Sequence, residues 1–223
     1  ITAVRDGAKP LCLLISICTF ITLKKTDSDV SRIQGRRFTV LLSLLVAASL
    51  LPWFIIQFQQ SVNVDNAWLT IAAMRLLEGQ NMSEAFYDPN PPLSVLTYLI
   101  PAALVKYSGL ALPETIFAYS LVLVLASSCA LWVILNKTGF ITGHALSLFI
   151  ALWLLLNTVL PGHFLGERDH FIILALLPFT FIQAGITYKK PLPRKTMIAV
   201  LAAGSFALML KPHYGIVPLA LFI

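Results

Sequence analysis

The chain has 223 residues, of which 58% are hydrophobic and only 12% charged, and its mean hydropathy is +0.84. A soluble domain of this length could not hide so much apolar surface in one core, so the composition excludes an ordinary globular protein and points to helices in a bilayer. The formal net charge is +6, yet the basic residues cluster beside apolar runs, as the positive-inside rule expects, and no nucleic-acid partner is implied.

Residues 1–37 read as an N-terminal segment, mostly cytoplasmic. Within it, Leu11–Leu23 is apolar but short for a span, and charged residues rather than an A-x-A-like cleavage site follow it, so its placement stays open. Cys12, Cys18 and Cys129 lie in apolar runs without metal-ligand spacing or a paired framework and read as small buried hydrophobes. The chain starts at Ile1 and stops inside a fresh apolar run at Ile223, which leads us to expect the N-terminal part of a longer protein.

Residues 38–223 carry the candidate membrane segments: Phe38–Phe58, Leu93–Val105, Thr115–Leu135, Phe140–Leu160, Phe171–Tyr188 and Thr196–Leu210, with a last one starting near Gly215. Two connections are strongly basic and should be cytoplasmic: 24–37, and "YKKPLPRK" with Lys189, Lys190, Arg194 and Lys195. Between them lie one outward crossing and four further apolar runs, so one run does not cross. Leu93–Val105 is the shortest, follows Pro91-Pro92 and contains Pro101; as a helix it spans only ~20 Å of a ~30 Å core. It reads as an interfacial or re-entrant helix on the outer face. The others then alternate, with Lys137 in a cytoplasmic turn. The expected fold is all-α: a polytopic transmembrane helical bundle with an outer-face loop bearing juxtamembrane helices.

That threading leaves two connections outside, 59–92 and 161–170, together with Lys211 and His213. In the first, Leu69, Ala72, Ala73 and Leu76 recur at helical spacing beside Trp68, which predicts a short helix along the membrane surface ending at Gly79. Asp65 stands at its start and suits either an N-cap or a functional acid. The second contains "GERDH", in which Glu167 and Asp169 also suit a helix N-terminus, whereas Arg168 opposes both the dipole and the charge bias and is expected to meet an anion. His170 reads as a hydrogen-bonded helix residue or a ligand. "NMS" at 81 and "NKT" at 136 match glycosylation sequons, the second on the cytoplasmic side.

The order of these pieces resembles a known family. A first span is followed by "DNAW", then "RLLEGQ", then "YDPNPPLSVLTYLIPAALVKYSGLALPE", with a second acidic site two spans later at "GERDH". Over roughly residues 38–190 this resembles the C-type glycosyltransferases, in particular the group of dolichyl-phosphate-mannose protein mannosyltransferases and the lipid A aminoarabinose transferase. Asn90 stands where that group has Lys, Tyr119 lies near the place of an Arg, and Glu-Arg-Asp replaces a lone Asp.

The resemblance implies a multi-pass enzyme, of the bacterial inner membrane or a comparable one, with its site on the periplasmic or lumenal face. It would move sugar from a polyprenyl-phosphate donor to a glycan, lipid or protein acceptor by inverting single displacement. Asp65 would be the general base, with Glu167 and Asp169 completing the acidic cluster. Arg168, Lys211 and Arg75 would meet the phosphate, and Tyr87, Asp88, Asn90, His170 and His213 would line the substrate. A divalent cation, Mg²⁺ or Mn²⁺, could sit on Asp65, Glu167 and Asp169, with His163 or His170 shifting the preference towards a softer ion. The competing reading is a transporter or lipid flippase with a charged outer gate, which would place ionisable groups at mid-membrane; a non-catalytic scaffold would give the converging charges no purpose.

Overall fold

Proline and glycine punctuation, more than propensity, decides where the helices of this chain begin and end. The computed structural model describes residues 62–86 and 91–220, together with the helical positions Leu41, Leu44, Leu45, Ala48, Pro52, Trp53, Ile55 and Ile56. The readings for Leu11–Leu23 and the basic stretch 24–37 lie outside the described residues. Among the described residues every regular element is helical and there is no strand.

Helix α1, Val64–Leu77, is capped by Asn63, whose side-chain carbonyl accepts the Asp65 N–H at 2.9 Å. Asp65 is therefore not the cap; it occupies the first turn with its carboxylate free for other work. The face bearing Leu69, Ala72 and Ala73 was expected to rest on the membrane surface. Instead it is buried in protein, against Val95, Tyr98 and Ala102. Small residues at 72, 73 and 102 let the two backbones approach closely, and burying a side chain such as Leu69 contributes about 2 kcal/mol.

A one-turn helix α2, Met82–Ala85, follows. The stretch expected as a single helix over Leu93–Val105 is two pieces, α3 (Leu93–Leu96) and α4 (Leu99–Ser108). Pro101 explains the break: it has no N–H for the carbonyl of Thr97 four residues earlier. That carbonyl accepts the Tyr119 hydroxyl of the next helix instead, at 3.1 Å.

Helix α5 runs over Leu112–Thr138, α6 over Gly143–Thr158, α7 over Arg168–Thr187 and α8 over Arg194–Leu210; a short α9, Ile216–Leu219, ends the described chain. Two of these, α5 and α7, are long and apolar enough to cross a membrane. Cys129 of α5, read from the sequence as buried, lies instead on the exposed side of that helix. At 16 residues α6 is shorter than the segment read from the sequence, because it starts only after Thr142 and stops before Pro161. Helix α7 starts earlier than expected, so Arg168, Asp169 and His170 belong to its first turn and the preceding connection ends at Glu167.

Helix α7 packs between α5 and α8. Ile134, Ile172, Phe179, Ile182, Val200 and Ala207 form the centre of that packing. Gly204 lets α8 pass directly over the Phe179 ring, where an added Cβ would come within 2.3 Å. Pro178 removes the N–H that would have reached the Leu174 carbonyl, and Ser127 Oγ of α5 donates to that carbonyl at 2.7 Å. A cavity of about 230 Å³ lies beside this repair, lined by small residues including Ala126, Ala130, Ala199 and Ala203. Phe140 and Tyr188 meet edge to face, centroids 6.1 Å apart. The turns holding Lys137 and Lys189 thus share one end of the helices, and Asp169 and Lys211 pair at the other.

Candidate functional site: an ion-paired cluster at the head of α7

The loop entering α7 is held from three directions, and that hold positions every charge around it. Asn66, directly after Asp65 in α1, donates its side-chain N–H to the Leu165 carbonyl at 3.0 Å. The Tyr98 hydroxyl, between α3 and α4, lies 2.9 Å from Asn66 Oδ1 and 2.7 Å from the Gly166 carbonyl. Asn66 and Tyr98 are almost wholly buried, and burial keeps the Tyr98 phenol protonated far above neutral pH. Gly166 has φ +82°, and a Cβ there would stand 2.6 Å from Ser120 Oγ and 2.8 Å from Ile116 Cγ2. Only glycine meets both conditions.

His170 was read as a substrate-lining ligand or as a hydrogen-bonded helix residue; it is hydrogen-bonded on both ring nitrogens and also borders the groove beside the cluster. It is buried, its Nδ1 accepts the Gly166 N–H at 3.3 Å, and its Nε2 lies 2.9 Å from the Asn157 carbonyl. Because Nδ1 accepts, Nε2 carries the proton and donates, which defines a neutral imidazole tying the loop to the end of α6.

Of the predicted charged residues, the fold gathers five. Arg168 Nη2 lies 3.8 Å from Asp65 Oδ2, and its Nη1 is 3.3 Å from Ser94 Oγ in α3. The Arg168 side chain is 11% exposed, that of Asp65 65%. Lys211, just past α8, pairs with Asp169 at 2.6 Å. Glu167, at the N-cap of α7, is half-buried between them. Desolvation, then the neighbouring Asp65 and Asp169 charges, raise its carboxyl above the usual range, against smaller opposing effects of His163 and Arg168.

Other expected members sit elsewhere or beyond view. Arg75 is in the last turn of α1, about 15 Å along the helix axis from Asp65, and is not brought to the cluster. His213 stacks on Tyr214 in the turn after Lys211, with ring centroids 4.7 Å apart, and His163 stacks on Phe164. Tyr87, Asp88 and Asn90 lie outside the described residues. Among the described residues no group of three His, Cys, Asp or Glu side chains is placed to hold a metal ion.

A groove of about 460 Å³ opens beside the cluster, its wall made by Trp153, Leu156, Leu160, Phe164 and Ile173 and its edge by Glu167 and Asp169. Leu160 and Phe164 are strongly exposed there. The arrangement offers a buried cation, a half-buried proton-seeking carboxylate, an accessible carboxylate and an apolar channel within one end of the molecule. Sequence reasoning missed Asn66, Ser94, Tyr98 and Gly166. Ser94 and Tyr98 sit four residues apart in an apolar run, and that i, i+4 polar pair was the available signal.

No family model matches the chain, and no curated protein or solved structure does so either.

Proposed function

We propose that this chain belongs to a multi-pass membrane glycosyltransferase that uses a polyprenyl-phosphate sugar on the periplasmic or lumenal face. The observation that carries the reading is the Asp65–Arg168 pair, which unites the acid after the first apolar run with the "GERDH" segment. The shared end of the basic turns, opposite the cluster, supports the multi-pass threading and its sidedness.

In the reaction, the acceptor hydroxyl attacks the anomeric carbon as the bond to the phosphate oxygen breaks. The proton passes to Asp65, the exposed carboxylate, and the electron pair leaves with the polyprenyl phosphate. Glu167 accepts a hydrogen bond from the acceptor and fixes its approach. Arg168 meets the developing phosphate charge: its contact to Asp65 is longer than a charge-assisted hydrogen bond, so donors of its fork remain for an anion. Lys211 supplies the second cation by exchanging Asp169 for phosphate. The exposed apolar groove is suited to the donor's isoprenoid chain.

A divalent cation would need to compete with Arg168 for Asp65 and with Lys211 for Asp169, so we assign the charge stabilisation to the two basic side chains. The transporter alternative would draw on the cavity beside Pro178, whose lining carries no ionisable group.

The test is transfer of radiolabelled sugar from a short-chain polyprenyl-phosphate donor in detergent, by the full-length protein and by Asp65→Asn. Loss of turnover with intact insertion supports the assignment. Labelled donor that binds but is never turned over, with any sugar tried, would move it to transport.

A further inference from the structure

We propose that Asn66 and Tyr98 are positioning residues: they clasp the backbone of Leu165 and Gly166 to the first turn of α1, and so hold Glu167 and Arg168 against Asp65. The inference deepens the transferase reading and takes its catalytic roles from it, but its geometry stands on its own.

Two side chains from different elements converge on two consecutive residues. Asn66 reaches the Leu165 carbonyl, and Tyr98 reaches both Asn66 and the Gly166 carbonyl. A phenol has one proton and here faces two acceptors, so its proton is shared between side chain and loop. Helix α1 and the loop are thereby locked to one point. Asp65 precedes Asn66 by one residue, and Glu167 and Arg168 follow Gly166 directly, so the clasp sets their separation. Without it, no direct hydrogen bond would join α1 to the loop: Arg168–Ser94 and His170–Asn157 tie α7 and the loop to α3 and α6, and the 3.8 Å Asp65–Arg168 contact alone is too weak to set the register.

The clasp has a readout that does not need the substrate. Glu167 is faced by Asp65 from α1, by Asp169 and Arg168 from α7, and by His163 from the preceding turn. The Asp65 charge pushes its carboxyl up, so moving Asp65 away lets it fall back. Infrared difference titration of the carboxyl band, assigned by subtraction of Glu167→Gln, reads that midpoint in purified full-length protein.

Asp65→Asn supplies the reference displacement, downward. Tyr98→Phe is expected to move the midpoint in the same direction while the protein still unfolds cooperatively, and to lower any transfer rate about tenfold or more with KM little changed. An unmoved midpoint in folded Tyr98→Phe would overturn the clasp as a positioning device and leave Tyr98 as packing. Should Tyr98→Phe not fold, Asn66→Ala decides by the same criterion from the other side of the bond. A midpoint that moves in a protein with no detectable transfer would sink the transferase reading and keep the clasp.

Discussion

Asp65 and Arg168 meet at 3.8 Å, one in the first turn of α1 and the other in the first turn of α7. The guanidinium is mostly buried while the carboxylate is mostly exposed. Such a pair adds little to stability, because the gain in Coulomb energy is offset by desolvation of the cation. What it fixes is placement: the carboxylate stands exposed, with the cation behind it.

Since Asn63 caps α1, neutralising Asp65 should leave the helix intact. Asp65→Asn is expected to lower the rate of sugar transfer by about 10²–10⁴-fold, the usual contribution of a general base. Expression and insertion should match wild type. Turnover close to wild type would remove Asp65 from its role.

Arg168→Lys keeps the charge and loses the fork that reaches Ser94 and Asp65 together. We expect transfer to fall about tenfold or more, with a weaker apparent affinity for the phosphate donor. On the proposal that Arg168 and Lys211 supply the charge stabilisation, a chelator should leave transfer unchanged. Activity that disappears with chelator and returns with Mg²⁺ or Mn²⁺ would assign that work to a metal.

Glu167 gives the pH dependence. Its carboxyl titrates above the usual range, through burial first and the Asp65 and Asp169 charges next. The folded chain thus keeps a proton that the unfolded chain has already released, so stability from this group is present in acid and is lost as pH rises through the raised value. Glu167→Gln should therefore melt level with wild type in acid and above it near neutral pH. In the proposed mechanism the ionised form orients the acceptor, so the acid limb of transfer should lie above the ordinary carboxylate range and vanish in Glu167→Gln. A limb unchanged by that substitution would assign it to another group.

Much of the frame was legible in the sequence because apolar runs and basic turns follow simple rules. The existence of α5, α7 and α8, and the placing of Asp65 and "GERDH" on one side, came from threading; their gathering into one site was what the family resemblance implied. The loop-held network was not legible. A polar residue in an apolar run, such as Tyr98, shows that a partner exists but not that the partner is a backbone carbonyl 68 residues away. The surface helix went astray for a related reason. Helical spacing of Leu69, Ala72 and Ala73 defines an apolar face, and nothing in that spacing distinguishes lipid from α4. Pro101 and Pro178 were visible, but the hydroxyls of Tyr119 and Ser127 that repair their breaks are distant in sequence.

Gly166 is held where a side chain fits neither the backbone nor the space. Gly166→Ala must accept a left-handed φ and press on Ser120 and Ile116. The combined cost is on the order of 3 kcal/mol, and the Tyr98 and Asn66 contacts should loosen with it. Adding Ser120→Ala removes one clash but not the backbone strain, so it should restore only part of the melting temperature. Full recovery would show that sterics alone hold the position.

The Pro178 break in α7 supplies a prediction with its own control. Ser127 Oγ donates to the Leu174 carbonyl that the proline leaves open. The bond is buried between α5 and α7, so Ser127→Ala should cost about 1–2 kcal/mol by leaving a buried acceptor unpaired. Pro178→Ala restores an N–H four residues on, and the helix can then satisfy the carbonyl itself. In that background Ser127→Ala should cost markedly less. Unfolding of the four proteins in mixed micelles completes the cycle, and the coupling it measures is the strength of the repair. Equal costs in both backgrounds would mean that Ser127 acts by packing against the cavity wall rather than through the carbonyl.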